Sequence, residues 1–329
     1  MEETTIITPE EQTAPKAPNT LEFKGSGVEL LGITLYNTII TSFTLGLYYP
    51  WARVARLKFL YQNSYLNNTP FVFSGTGKEL FKGFIKFFAY IIIFYGGFIA
   101  AFIHNDPIII GVVYFVFLGS LFFIIPLAIH GALRYRLSRT SWRGIHFGYR
   151  GNRAKLIGDY IIGSILSTVT LGIYQSWFTN NLRTYIIGNI RFGSIYFGYE
   201  GDGGELFWIN FKGLVLSILT LGIYYFWYQA EYMNYFVKNT YLEHDGKRHE
   251  LDANFEGSEY FGLLIVNLFL TLFTFGFGAP FATVRLAKFI INNISIPQEL
   301  DFEKIAQTED EYLDATGEDV IDYLDIGIA

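Results

Sequence analysis

Six polar side chains stand inside otherwise apolar stretches of the 329-residue chain: Asn37, Lys86, His130, Asp159, Lys212 and Asn267. Hydrocarbon makes such groups costly, so each must be paired, reach a boundary, or belong to a polar path. Lys86, Asp159 and His130 lie near the ends of their stretches, where a long or amphipathic side chain snorkels to an interface. Asn37 and Asn267 suit hydrogen bonds that join one helix to the next. Lys212 is the deepest of the set, and we read it as pairing with a carboxylate such as Asp159 or Glu205 at the wall of a polar cavity. Little else in the sequence speaks for chemistry. The five histidines make no HExxH or other metal spacing, and there is no cysteine. GSG and GDGG lack the GK[ST] of a phosphate loop, and no GxSxG elbow occurs. The expectation is therefore no catalytic residue, no metal and no cofactor.

Composition explains why lipid is the relevant solvent. Hydrophobic residues make up 51% and aromatic residues 19%, mean hydropathy is +0.29, and only 16% of residues are charged. A typical soluble domain carries roughly 25% charged residues. These values exclude a disordered chain, a nucleic-acid binder and a coiled coil, and they point to a membrane protein whose main partner is the bilayer. Charge is segregated, at −3 over residues 1–20, +7 over 21–298 and −10 over 299–329. We expect a disordered acidic N-terminal tail at 1–20, a transmembrane domain at 21–296 and an acidic C-terminal tail at 297–329. That last tail alternates acids with Val320, Ile321, Tyr323, Leu324 and Ile326, as in a solubilising tail or one that docks on a protein partner.

About 20 residues of helix cross roughly 30 Å of hydrocarbon. Six stretches fit, near 30–49, 83–103, 107–130, 157–178, 206–228 and 260–282. The expected architecture is an all-α polytopic membrane protein of about six transmembrane helices. Loops 50–82, 131–156 and 229–259 hold 15 of the 24 Lys and Arg residues, which places those loops in the cytoplasm and both termini outside.

An internal repeat organises these stretches. An aromatic-x-Gly step opens five units, near 23, 73, 149, 199 and 255, with first glycines Gly25, Gly75, Gly151, Gly201 and Gly257. Intervals between them are 50, 76, 50 and 56, the long one reading as a unit with an extra span. Glu29, Glu205 and Glu259 each precede a second glycine (Gly46, Gly222, Gly276) by 17 residues, and Lys155 precedes Gly172 likewise. We read Glu29, Glu79, Glu205 and Glu259 as helix starts, where an acid offsets the macrodipole. Seventeen helical residues rise about 25 Å to the far interface. There Gly46 would end the helix, Tyr48 and Trp51 would sit among headgroups, and Pro50 would block continuation. Arg53 and Arg56 would begin a basic amphipathic stretch lying along the surface. Alternating aromatics before each unit, as in FVFSG, IHFGYRG and IYFGYEG, suggest short extended linkers.

The segments FKGSGVELLGITLYN (23–37), TLGLYYPWARVARLKFLYQNSYL (44–66) and FVFSGTGKELFKG (71–83) resemble the YjgN family of bacterial multi-pass inner-membrane proteins. The resemblance implies the cytoplasmic membrane and a repeated helical bundle, and it brings no catalytic residue or ligand. Units three to five depart from the pattern, with Ser176 and Phe226 where the first unit has Pro50. Repeated membrane units suggest a transporter or channel for a solute. The alternative is a structural or lipid-organising membrane protein. A lipid-modifying enzyme has no motif in its favour.

Overall fold

The computed structural model describes residues 18–307. Every aromatic-x-Gly step leads into a helical hairpin. The five hairpins are α1 (Gly27–Phe43) with α2 (Tyr49–Gln62), α3 (Gly77–His104) with α4 (Pro107–Ser138), α5 (Arg153–Val169) with α6 (Gln175–Gly188), α7 (Gly203–Leu219) with α8 (Tyr225–Lys238), and α9 (Gly257–Phe273) with α10 (Ala279–Asn292). Among the described residues only α3 and α4, of 28 and 32 residues, combine the length and apolarity of a membrane span. The other four stretches read above as spans each cover most of a 17-residue helix, a turn, and the start of a 14-residue helix running back. The 76-residue interval does hold two helices of span length and apolarity. It is the same hairpin with both arms lengthened, meeting at a tip of His104, Asn105 and Asp106.

Each helix packs against its neighbours in sequence, and α10 packs back on α1, so the ten helices close into a circle. The first helix of every hairpin is seated against two second helices, its own and that of the preceding hairpin, with α1 taking α10. First helices consequently keep a wide exposed face, and it is apolar: Val28, Tyr36, Ile39 and Phe43 on α1, and Trp208, Phe211, Leu214 and Ile218 on α7. Such a face suits lipid. Second helices meet one another through polar contacts, Arg56 Nη2 donating to Thr283 Oγ1 at 3.4 Å and Asn180 Nδ2 to the Tyr235 hydroxyl at 2.9 Å.

The linkers between hairpins pair with each other rather than standing as isolated extended segments. They form β1 (Leu21–Phe23), β2 (Ser64–Leu66), β3 (Thr69–Pro70), β4 (Val72–Phe73), β5 (Thr140–Trp142), β6 (Ile145–Tyr149), β7 (Ile190–Phe192), β8 (Ile195–Tyr199), β9 (Thr240–His244), β10 (Lys247–Glu250), β11 (Asp252–Ala253) and β12 (Ile294–Ser295). An antiparallel seven-stranded sheet runs in the order β10-β9-β8-β7-β6-β5-β4, beside a three-stranded sheet β1-β2-β3 and the pair β11-β12. Because these strands are the common base of the hairpins, every hairpin leaves and returns on one side.

Two recurrent devices tie hairpin to base. The aromatic of each aromatic-x-Gly step is buried (Phe23, Phe73, Tyr149, Tyr199, Phe255), and Phe23, Phe73 and Phe255 pack on Phe59, Tyr135 and Phe289 of their own second helix. Tyr199 donates to Asn180 Oδ1 at 2.7 Å, and burial holds its phenol well above the ordinary tyrosine range. Each second helix ends in a residue whose carbonyl accepts from the backbone just after that aromatic: Lys24 N–H to Asn63, Ser74 to Arg139, Arg150 to Asn189, Glu200 to Asn239, and Asn254 to Asn293. The orphan carbonyl of the helix end is thus satisfied by the segment that opens the same repeat. Beneath the sheet Leu66, Trp142, Phe192 and Leu242 make a common apolar core. Leu300, Phe302 and Ile305 of the C-terminal segment are buried in it, and Asn19 donates to the carbonyls of Pro297 and Leu300. Residues 297–307 thus pack against the base, and the remainder of the acidic tail lies outside the described residues, as does most of the N-terminal tail.

Candidate functional site

The hairpin turns are the first place where sequence pattern becomes unusual geometry. In four hairpins the turn is Thr-Leu-Gly or Thr-Phe-Gly, with the middle residue left-handed at φ +50° to +52° (Leu45, Leu171, Leu221, Phe275) and the glycine at φ +90° to +93°. A left-handed Leu or Phe costs roughly 1–2 kcal/mol against a right-handed one. It is nonetheless the most exposed kind of side chain here, at 93%, 94%, 95% and 94% exposure respectively. Phe43, Val169, Leu219 and Phe273 extend the same apolar tip.

The backbone at these tips needs no outside partner. From Thr44 to Tyr49 every N–H has an acceptor: Thr44 gives to Ile40, Leu45 to Ser42, Gly46 to Thr41 at 2.8 Å, Leu47 to Thr44, Tyr48 to Thr44 Oγ1 at 3.1 Å, and Tyr49 to Gly46. Thr44 Oγ1 meanwhile donates to Ile40 at 2.9 Å. Thr170, Thr220 and Thr274 repeat this double role, accepting from Tyr174, Tyr224 and Gly278. Internal satisfaction is what non-helical backbone requires where water is absent. The long hairpin is the opposite case, its turn being His104, Asn105 and Asp106, with Asp106 Oδ1 accepting from Ile108.

The motif residues of the first unit serve this hairpin. Gly46 makes the positive-φ step, Tyr48 caps α2, and Pro50 is buried at its second position. Trp51 stacks on Tyr48 and lies against Gly77 and Phe81 at the start of α3, so it locks one hairpin to the next. Trp177 on Gly203 and Trp227 on Gly257 do the same. Arg53 and Arg56 are exposed on α2, an arm packed between α1 and α3 rather than a separate surface helix. Of the four glutamates, Glu79 completes a capping box with Thr76 and also meets Arg139 at 2.7 Å. Glu29, Glu205 and Glu259 occupy the first turns of α1, α7 and α9, where the Glu205 N–H gives to the Asp202 side chain.

The polar residues within the helices separate. Asn37 Nδ2 donates to Ile33 in its own helix, whereas Asn267 Nδ2 reaches the carbonyl of Ala282 on α10 at 3.4 Å. His130 is buried on α4, edge-on to Tyr149, and Lys86 is exposed on α3. Asp159 lines a cleft of about 280 Å³ between α5 and α6 with Tyr174 and Asn181. Lys212 is paired, with neither Asp159 nor Glu205 but with Glu231 of α8, Nζ to Oε1 at 2.6 Å. The pair lies in a groove of about 910 Å³ between α7 and α8, whose walls include Glu205, Trp208, Phe211 and Lys238. Glu231 was missed in the sequence, although a hairpin centred on Gly222 sets residues ten before and nine after it opposite each other. Among the described residues no cluster of metal-ligating side chains occurs.

Comparison with known proteins accords with this architecture. The family profile described as "Bacterial protein of unknown function (DUF898)" matches residues 18–200, 194–246 and 245–323, and the chain belongs to that family. It is 32% identical over 167 residues to the inner membrane protein YjgN of Salmonella typhimurium, covering 47% of this chain and 40% of that protein. Against inner membrane protein YjgN of Escherichia coli O157:H7 and of strain K12, identity is 32% and 30% over 127 residues, 39% of this chain and 30% of each relative. The chain thus spans less than half the length of the curated relatives it matches. No solved structure matches it. It is a bacterial inner-membrane protein.

Proposed function

We propose that this DUF898-family protein crosses the inner membrane only with α3 and α4, sinks its four short hairpins into the cytoplasmic leaflet, and binds and arranges lipid there. The observation that carries the reading is the contrast between tips, four of them apolar and fully exposed and one polar. Lys86 and Lys212 occupy the same place in their units, eleven residues after Gly75 and Gly201, and so mark one level. From Lys86 to Asn105 the helix rises about 28 Å, which matches a hydrocarbon layer of about 30 Å. From Lys212 to the end of α7 at Leu219 it rises about 10 Å, well short of that depth. The turn at 104–106 carries no Lys or Arg, whereas the hairpin bases carry many, which supports a cytoplasmic base. On this reading the chain is five degenerate units of one hairpin each, in place of six spans.

The chain lacks cysteine, so single introduced cysteines report position without background. Asn105→Cys is expected to react with an impermeant reagent from the periplasm, and Gly144→Cys and Gly246→Cys in the linkers only from the cytoplasm. Leu45→Cys, Leu171→Cys and Leu221→Cys are expected to resist both and to be quenched by probes at the bilayer centre. Periplasmic labelling of any tip would overturn the reading.

Solute transport is the second reading, favoured by the polar contacts between second helices and by half-buried Arg183, whose guanidinium lies 3.5 Å from the Phe236 ring centre. Flux through proteoliposomes that Arg183→Gln abolishes would carry it.

A further inference from the structure

One groove on the lipid-facing side differs from its counterparts. In the four short hairpins the positions of Lys212 and Glu231 are held by Tyr36 and Ala55, Ile162 and Asn181, Lys212 and Glu231, and Val266 and Arg285. Only the fourth hairpin sets a cation against an anion there, and it adds Glu205 near the base of α7 and Lys238 at the end of α8 to the same groove. The repeat alone does not require these charges, since three hairpins fold without them. Towards the tip from the pair, Val215 and Leu216 continue the wall as apolar surface along α7, while Trp208 and Phe211 line it on the base side. A volume of about 910 Å³ is within the range of small-molecule sites, about 300–1,000 Å³.

We propose that this groove binds a phospholipid whose headgroup carries a protonated amine, of the ethanolamine type. The inference rests on the reading that the first helices face lipid. A phosphodiester joined to an ammonium is a dipole that can lie antiparallel to the protein's own pair of charges. Lys212 donates to the phosphate, and Glu231 and Glu205 accept from the amine. The acyl chains then run along Val215 and Leu216 towards the tip at Leu221. A headgroup ending in glycerol would leave both carboxylates without a cation, and a trimethylated amine would offer them no N–H.

The test uses the full chain in nanodiscs containing equal phosphatidylethanolamine, phosphatidylglycerol and phosphatidylcholine, followed by partial delipidation and native mass spectrometry. Retained ethanolamine lipid is expected to exceed either other lipid by roughly tenfold, the value of one charge-assisted contact. Lys212→Met combined with Glu231→Gln removes both charges together, leaves neither unpaired, and is expected to bring the ratio to about one. Tyr36→Phe, at the equivalent place on α1, is expected to leave it unchanged. Equal retention of the three lipids, preference for phosphatidylglycerol, or a preference that survives the double variant would overturn the proposal. Labelling of Leu221→Cys in the double-variant background separates the two readings. A protected tip with no lipid preference defeats this inference alone, whereas a tip labelled from the periplasm defeats the membrane placement beneath it.

Discussion

The second hairpin and the other four are built on one plan and end in opposite chemistry. All start from a buried aromatic before a glycine and return to a shared strand layer. At 28 and 32 residues the arms of α3 and α4 are long enough to carry a polar turn across hydrocarbon, and the turn is His104, Asn105 and Asp106. At 17 and 14 residues the remaining arms are too short, and their turns present Leu or Phe with the backbone closed on itself. The lesson is that arm length and turn polarity change together. A short arm with a polar turn would leave charge in the hydrocarbon, and a long arm with an apolar turn would expose it to water.

Giving a short hairpin the turn of the long one should cost most. Leu221→Asp is expected to disfavour insertion of that hairpin by about 3 kcal/mol, read as new reactivity of a cysteine at Ile223 towards aqueous reagent. Thr220→Val leaves the Tyr224 N–H without its acceptor, which costs about 2 kcal/mol where water is absent. It should show as faster amide exchange confined to that turn. Gly222→Ala keeps the polarity and changes only the backbone, so roughly 1–2 kcal/mol is expected from the positive φ, seen as a lower melting temperature in detergent. The smallest effect belongs to the long hairpin. Thr76→Ala removes the capping box at the start of α3 and should cost about 1 kcal/mol, with the far-side accessibility of Asn105→Cys unchanged.

Much of the repeat was legible in the sequence, because aromatic-x-Gly and Thr-Leu-Gly are chemical necessities of the structure. The glycine at φ near +90° cannot readily be another residue, and the aromatic fills a core position in every unit. The second helices were not legible. Segments such as YFWYQAEYMNYFVK are short and mixed in polarity, and the turn before them is itself apolar, so a hydropathy window of helix length merges one arm with the turn and the start of the next. Nothing in the composition marks Leu45 or Leu221 as left-handed, since that conformation is imposed by the hydrogen bonds around it. Lys212 was recognisable as a buried-stretch charge. Its partner was not, because Glu231 faces it only once the chain is known to fold back at Gly222. The docking of Leu300 and Phe302 beneath the strands was hidden by the acids around them.

The self-contained turns also bear on how the protein is made. A loop that carries its own hydrogen-bond acceptors and no charge can slide from the ribosome's side into the acyl chains without any polar group being ferried to the opposite compartment. On the proposed membrane placement, assembly needs one true translocation event, that of the stretch around Asn105, and the remaining four insertions can follow from the same face in any order.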